Sequence, residues 1–439
     1  MQELPAADDL AWLRRFRKAV VAEWDGLEAL VQEELGKPGF ETMTSEFLPL
    51  LAACRWHEKH ARRLLRPRRQ PRASWLQLGQ TFWGHRVPLG EVAIIATWNY
   101  PLQLLGVQLI QAVLGGNRVT VKPSERSPRS QGRLLELARE AGLSEARLSW
   151  VGAEREAGEA LLRDRRFDHV VFTGSTAVGR QIAQKLAESL TPSTLELSGM
   201  DSALVLSDAD EAMAAASIAF AVALNGGATC LVPRRVIVVQ SKAEAFCRKL
   251  REAIGDGPTV DGYTQVDRGA SGRLATEAAR AGGRWLDLAM GDAGWDRPWV
   301  VVDPPSDSPL ARGEHFGPAL AVLTAENDED ALQQHQRFGQ RLVTAVFSKG
   351  ANPKRAELAA LGGSIVTLND CIVPTGNPAV ALAGCGPSGW GVSRGREGLL
   401  AMTRPVNVSR TSRWLRPPLQ PPTPKMQQRM ARFVKWFYG

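Results

Sequence analysis

Apolar residues recur every three or four positions from the start of the chain. In DDLAWLRRFRKAVVAEWDGLEALVQEEL, beginning at residue 8, they mark one face of a helix, and Asp8 or Asp9 is its expected N-cap. GKPGF (36–40) breaks that helix, and helix-period patterning continues to about residue 65. Residues 66–75, rich in proline and arginine, read as an exposed connection.

The period then changes. EVAIIAT (91–97), RVTVKPS (118–124), RLSWVG (147–152) and HVVFTGS (169–175) are apolar runs of strand length. Between and after them lie helical patterns at 101–116, 130–142, 157–164 and 177–189. A second series has a strand within 200–210, a helix over 212–227 rich in small residues, a strand at 234–240, and a further α/β unit from about 244 to 350. Short buried strands alternating with amphipathic helices predict βαβ units and parallel sheets, here two doubly wound α/β domains in tandem. From 389 the chain reads as irregular, ending in a helical stripe of Met426, Met430, Phe433, Val434 and Phe437.

A length of 439 residues fits two or three domains. Hydrophobic content of 44% with 23% charged residues argues against disorder. There is no uninterrupted apolar run of membrane-spanning length, and the acidic, helical N-terminus lacks the plan of a secretory signal. The five cysteines form no C-x-x-C pair, which speaks against a metal site or a disulfide framework and predicts a reducing, cytoplasmic setting. The net charge of +8 is concentrated in 59–72 and beyond Arg410. It reads as solvated faces or as attraction for anions, and no nucleic-acid-binding signature accompanies it.

Four stretches hold candidate chemistry. VVFTGSTAVGR sets Gly174 and Gly179 at a strand-to-helix turn, where a helix N-terminus can face a phosphate or simply close a tight turn. VKPSE places Lys122 and Glu125 at another strand end, within the range of ribose hydroxyls or as a capped helix start; a carboxylate there would repel a 2′-phosphate. NGGATC puts Cys230 among small residues that leave room for a substrate, with backbone N–H groups nearby that can hold an oxyanion and lower a thiol's pKa; the same cysteine can be an inert core residue. TLELSG holds Glu196 in an apolar strand, costly unless paired or functional, and ATWNYP holds Asn99 at a strand end beside Trp98 and Tyr100.

In order along the chain, PLGEVAIIATWNYP, GGNRVTVKPSE, FTGSTAVGR, LELSG, NGGATC, EHFGP and GPSGWG resemble the motifs of the NAD(P)-dependent aldehyde dehydrogenases, from about residue 10 to 439. The tail resembles that of the shorter, usually dimeric branch, which favours fatty, aromatic and medium-chain aldehydes. The resemblance implies a Rossmann-like dinucleotide-binding domain over 1–198 with a bridging hairpin near 73–88, and a catalytic domain over 199–388 carrying the nucleophile. It implies a segment over 389–439 that returns to the cofactor domain and the oligomer interface.

For the site, the resemblance implies that Cys230 attacks the aldehyde carbon to give a thiohemiacetal and then a thioester. Asn99 and the Cys230 N–H would hold the oxyanion, and Glu196 would activate the hydrolytic water. Lys122 and Glu125 would hold the adenosine ribose, Ser175 would face the pyrophosphate, and Glu314 and Phe316 would position the nicotinamide ribose. Trp98, Ser124, Gly174 and Val178 complete the cofactor-binding set. NAD is the expected cofactor, with NADP as the alternative; no metal and no nucleic acid are expected. A small-molecule aldehyde is the expected substrate and a homodimer the expected assembly. The C-terminal stripe would pack on the protein or its dimer mate, or lie on a membrane surface. Rival readings are a coenzyme-A-acylating dehydrogenase, against which Glu196 speaks, and a non-catalytic protein on the same scaffold. Ser198, Met200, Ala228 and LAGC (382–385) depart from the usual motifs.

Overall fold

Trp12, Leu13, Phe16 and Val20 are the inward stripe of the helix Ala7–Ala22, and they pack with Leu27 and Val31 of the next helix against the first sheet. In this computed structural model residues 4–73, 77, 79–291, 295–350, 355–414 and 421–439 are described. The helix expected to run unbroken to residue 35 is two helices, Ala7–Ala22 and Trp24–Leu35, meeting at Glu23. The N-cap of the first is Ala6, and Asp8 and Asp9 lie in its first turn, where their charge complements the helix dipole.

The first sheet has the strand order Gly389–Trp390, Ser193–Leu197, His169–Gly174, Glu91–Ile95, Arg118–Lys122, Leu148–Trp150. Its strands are parallel except Gly389–Trp390, which pairs antiparallel with Ser193–Leu197 so that Gly389 lies opposite Glu196. The chain enters at Glu91–Ile95, builds outward to Leu148–Trp150, then crosses back to His169–Gly174. The order therefore reverses between Glu91–Ile95 and His169–Gly174, and ligands bind beyond the carboxyl ends of strands at such a point. Helix Gln103–Leu114 is buried along its whole length beneath this sheet. Each fully buried Leu, Ile or Val there contributes about 1.5–3 kcal/mol.

The second sheet has the order Arg284–Trp285, Trp299–Val302, Ala319–Ala325, Pro233–Val239, Asp201–Val205, Val343–Phe347, Ile365–Leu368, and only its first pair is antiparallel. Its core of Val236, Val238, Val322, Phe246 and Ile218 is separate from that of the first sheet.

A third, antiparallel sheet joins Arg68–Gln70, Gln80–Pro88 and Thr403–Thr411. The connection expected over 66–75 thus contains a strand, and the hairpin expected near 73–88 starts earlier, at Arg68. Residues 74–76 and 78 lie outside the described residues. The segment expected to be irregular from 389 holds the helix Gly395–Ala401 and the nine-residue strand Thr403–Thr411. The terminal helix Pro424–Tyr438 buries none of its residues, and Met426, Met430, Val434 and Phe437 of the expected stripe are exposed. No helix among the described residues is long and apolar enough to cross a membrane.

Candidate active site

The cysteine loop begins where the helix Glu211–Ala223 stops, earlier than the expected residue 227. Asn225, Gly226 and Gly227 all take positive φ, at 57°, 60° and 80°. A Cβ on Gly227 would lie 2.4 Å from the backbone of Gly317 and Pro318, so only glycine fits where the two segments touch. Buried Arg234 binds them together, donating from Nη1 to Gly317 O (2.8 Å) and from Nη2 to Gly227 O (2.8 Å) and Thr229 O (2.9 Å).

This turn delivers Cys230 to the floor of the cleft, half-buried. Its thiol is not acidified, as the sequence reading had allowed. Burial pushes it up to about 12, Arg394 pulls it down, and Glu196 and Asp201 push it further up. Asn99 lies just beyond the strand Glu91–Ile95. Its Nδ2 donates to Ala228 O (2.9 Å), and its Oδ1 accepts from Thr97 Oγ1 (3.2 Å). Asn225 Nδ2 donates to Asn99 O (2.8 Å) and Ala228 O (3.0 Å), and the Tyr100 hydroxyl bonds Thr229 Oγ1 (2.5 Å). The Asn99 segment and the cysteine loop are therefore laced together, and the lacing ends one residue short of Cys230.

Glu196 sits in the strand Ser193–Leu197 among apolar neighbours. Its Oε2 accepts from Thr173 Oγ1 (3.2 Å) and Gln108 Nε2 (3.4 Å), and its Oε1 is buried without a partner. Burial pushes its carboxyl above the usual range, against the pull of Arg394 and the two hydrogen bonds.

Two residues of this centre escaped the sequence reading. Gln108 had a signal: it is one of three glutamines in a helix otherwise apolar and wholly buried. Arg394 had little beyond a charged residue between glycine-rich turns. It takes φ of 60°, donates from Nη1 to Thr375 O (2.9 Å), and keeps a buried Nε without a partner. It is the leading charge acting on both Cys230 and Glu196.

A cleft of about 1120 Å³ runs from the first sheet's strand ends to Cys230, and Asn99, Glu196 and every cofactor-binding residue expected from the sequence line it. Lys122 Nζ pairs with Glu125 Oε2 at 2.9 Å, Lys122 buried and Glu125 exposed. Ser124 Oγ accepts from Arg126 N (3.3 Å), and Arg126 lies 5.2 Å over the Trp98 ring. Gly174 ends its strand, and Ser175 caps the helix Thr176–Ala187 by accepting from Val178 N (3.4 Å). Glu314 Oε1 accepts from Thr176 N (3.3 Å), so an anionic oxygen already rests on that helix N-terminus. Phe316 meets Trp98 edge-on at 5.9 Å. A helix end able to face an anion, a Lys–Glu pair at a strand end and flanking aromatic rings in one cleft suit a dinucleotide. Cys385 is exposed and outside the cleft's lining, and no cluster suited to a metal is found among the described residues.

The aldehyde dehydrogenase family model matches residues 1–408. A probable coniferyl aldehyde dehydrogenase of Pseudomonas aeruginosa is 30% identical over 421 residues, covering 93% of this chain and 87% of its own length. The dimeric NADP-preferring aldehyde dehydrogenase of Rattus norvegicus is 31% identical over 323 residues, covering 71% of this chain and 70% of its own. The crystal structure of a Mycobacterium tuberculosis aldehyde dehydrogenase complexed with NAD+ superposes with a TM-score of 0.81 at 25% identity, covering 91% of this chain and 84% of that one. The chain belongs to the aldehyde dehydrogenase family, NAD(P)-dependent enzymes that oxidise an aldehyde to its carboxylic acid.

Proposed function

We propose that Cys230, Asn99 and Glu196 carry this oxidation in the hydrolytic manner. The Cys230 sulfur bonds to the aldehyde carbon, and its proton passes to the Glu196 carboxylate, which lines the same cleft. The Asn99 amide and the Cys230 N–H hold the resulting oxyanion; one such donor typically contributes about 3 kcal/mol to the transition state. A bound nicotinamide dinucleotide supplies the hydride acceptor. Glu196 releases the thiol proton to solvent; once the thioester has formed, its carboxylate takes a proton from water, the water oxygen attacks the thioester carbon, and the Cys230 sulfur leaves as thiolate and is reprotonated from Glu196. Lys122, Ser124 and Glu125 hold the adenosine ribose, with Trp98 beside them. Gly174, Ser175 and Val178 form the pyrophosphate turn, and Glu314 and Phe316 flank the nicotinamide ribose.

The exposed Glu125 carboxylate favours NAD over NADP by repelling a 2′-phosphate. The substrate is an apolar or aromatic aldehyde, in keeping with the resemblance to the shorter branch and with the coniferyl aldehyde dehydrogenase relative. The enzyme is a cytoplasmic homodimer; its five free cysteines and the dimeric rat relative support this.

The observation that carries the reading is the meeting of Cys230, Glu196 and the laced Asn99 at one end of a dinucleotide-sized cleft. The test is NAD(P)H formation over a panel of aldehydes with NAD and NADP, alongside Cys230→Ala. The parent should turn over, the variant should not, and the product should be the free acid without coenzyme A. A fully active Cys230→Ala enzyme, or acyl-coenzyme A as the main product, overturns the mechanism.

A further inference from the structure

Gly36 closes the helix Trp24–Leu35 with φ of 69°, and a Cβ there would lie 1.7 Å from Gly262 O, so the chain turns sharply at this residue. The turn drives the next side chain, Lys37, into the protein, where it is 0% exposed. Glu46, on the π-helical turn Met43–Phe47, is also 0% exposed, and its Oε1 lies 2.5 Å from Lys37 Nζ.

Both partners spend their remaining hydrogen bonds on one segment. Lys37 Nζ donates to Asn99 O (3.0 Å) and lies 4.4 Å over the Tyr100 ring. Glu46 Oε2 accepts from Leu102 N (3.1 Å) and Gln103 N (2.9 Å). The backbone from Asn99 to Gln103 crosses from strand to helix with no ladder of its own, and the ion pair grips it at both ends. That same segment meets the cysteine loop through Asn99 Nδ2 to Ala228 O and the Tyr100 hydroxyl to Thr229 Oγ1. Replacing a buried ion pair by apolar groups is often neutral or stabilising, so stability alone does not account for the pair.

We infer that Lys37 and Glu46 are positioning residues, fixing the Asn99 amide against the cysteine loop so that its donor is already aimed where the oxyanion forms. The inference rests on the role proposed for Asn99. Neither residue lines the cleft.

The test is a double-mutant cycle in the full-length enzyme. Lys37→Met is combined with Glu46→Gln, which removes both charges together and leaves Gln an oxygen for Leu102 and Gln103 N. Asn99 O keeps Asn225 as a donor, so the fold has what it needs. In the parent, this pair of changes should lower kcat by about 100-fold, the cost of a misplaced catalytic group, with the KM for NAD within about twofold. In an Asn99→Ala background the same changes should cost less than about threefold, because the group they aim is gone. An equal loss in both backgrounds, or full kcat when only Lys37 and Glu46 are changed, overturns the inference and leaves the Asn99 role standing. Full kcat in Asn99→Ala alone removes the oxyanion role itself, and the inference with it.

Discussion

Burial pushes the Cys230 thiol up to about 12, and Arg394 is the leading opposing charge. The sulfur therefore keeps its proton at neutral pH until a base takes it; burial sets most of the cost of ionising it, and the Arg394 guanidinium is the charge that lowers that cost. Replacing Arg394 with methionine removes that pull. The thiol rises further, so the pH at which kcat/KM for the aldehyde climbs should move upward. A shift of about one unit corresponds to about tenfold lower kcat/KM at neutral pH. Glu196 loses the same support and also rises, so the base-dependent limb of thioester hydrolysis should move upward with it. Both signs follow from the charge: a lost cation disfavours an anion. Rate profiles from pH 5 to 10 for the parent and Arg394→Met check this; superimposable profiles would mean that Arg394 acts on neither group.

At the scale of elements, the period of the sequence made the two sheets legible. Short β-branched runs such as EVAII and RRVIVV are buried strands, and the helices between them carry helical stripes. What it hid depends on partners distant in sequence. TRPVNVSRT shows no buried alternation and contains a proline, yet it forms the strand Thr403–Thr411 because its partner Gln80–Pro88 supplies the ladder. The break at Glu23 lies between helical stripes with no glycine or proline to mark it. Cys230, Glu196 and Asn99 stand in recognisable motifs and line one cleft, whereas Gln108 and Arg394 come near Glu196 and Cys230 only through packing of distant segments.

The cysteine loop was legible because its glycines are required, and that requirement can be measured. Gly227→Ala places a methyl against the backbone of Gly317 and Pro318 in a left-handed conformation. Such strain costs on the order of 1–3 kcal/mol before the overlap is counted. A lower Tm and a collapse of kcat are expected. Gly255→Ala meets nothing within 4 Å at the end of its helix and should leave both unchanged or raise Tm. A Gly227→Ala enzyme with parental Tm and kcat would show that the loop can open without consequence.

Across the whole molecule, the last two C-terminal pieces have opposite attachments. Thr403–Thr411 runs in continuous register with Gln80–Pro88, and Gly389–Trp390 completes the first sheet beside Glu196, so the chain to residue 411 is part of the folded body. Helix Pro424–Tyr438 buries none of its residues; Met426, Met430, Val434 and Phe437 are exposed along it, between Lys425, Arg429, Arg432 and Lys435. The homodimer proposed above has this exposed apolar stripe as its expected contact surface. Ending the chain at residue 420 should therefore leave kcat within about twofold while light scattering shows the dimer giving way to monomer; losses of up to about 0.5 kcal/mol are typical of exposed positions. Met430→Lys with Val434→Lys should do the same in the full chain. The same variants test the rival occupant of the stripe, an anionic lipid surface, against the dimer. If both forms stay dimeric and only the full chain sediments with phosphatidylglycerol vesicles, the stripe serves the lipid and the dimer is built elsewhere. Loss of turnover together with the helix would place its face against the substrate entrance and end the dimer argument.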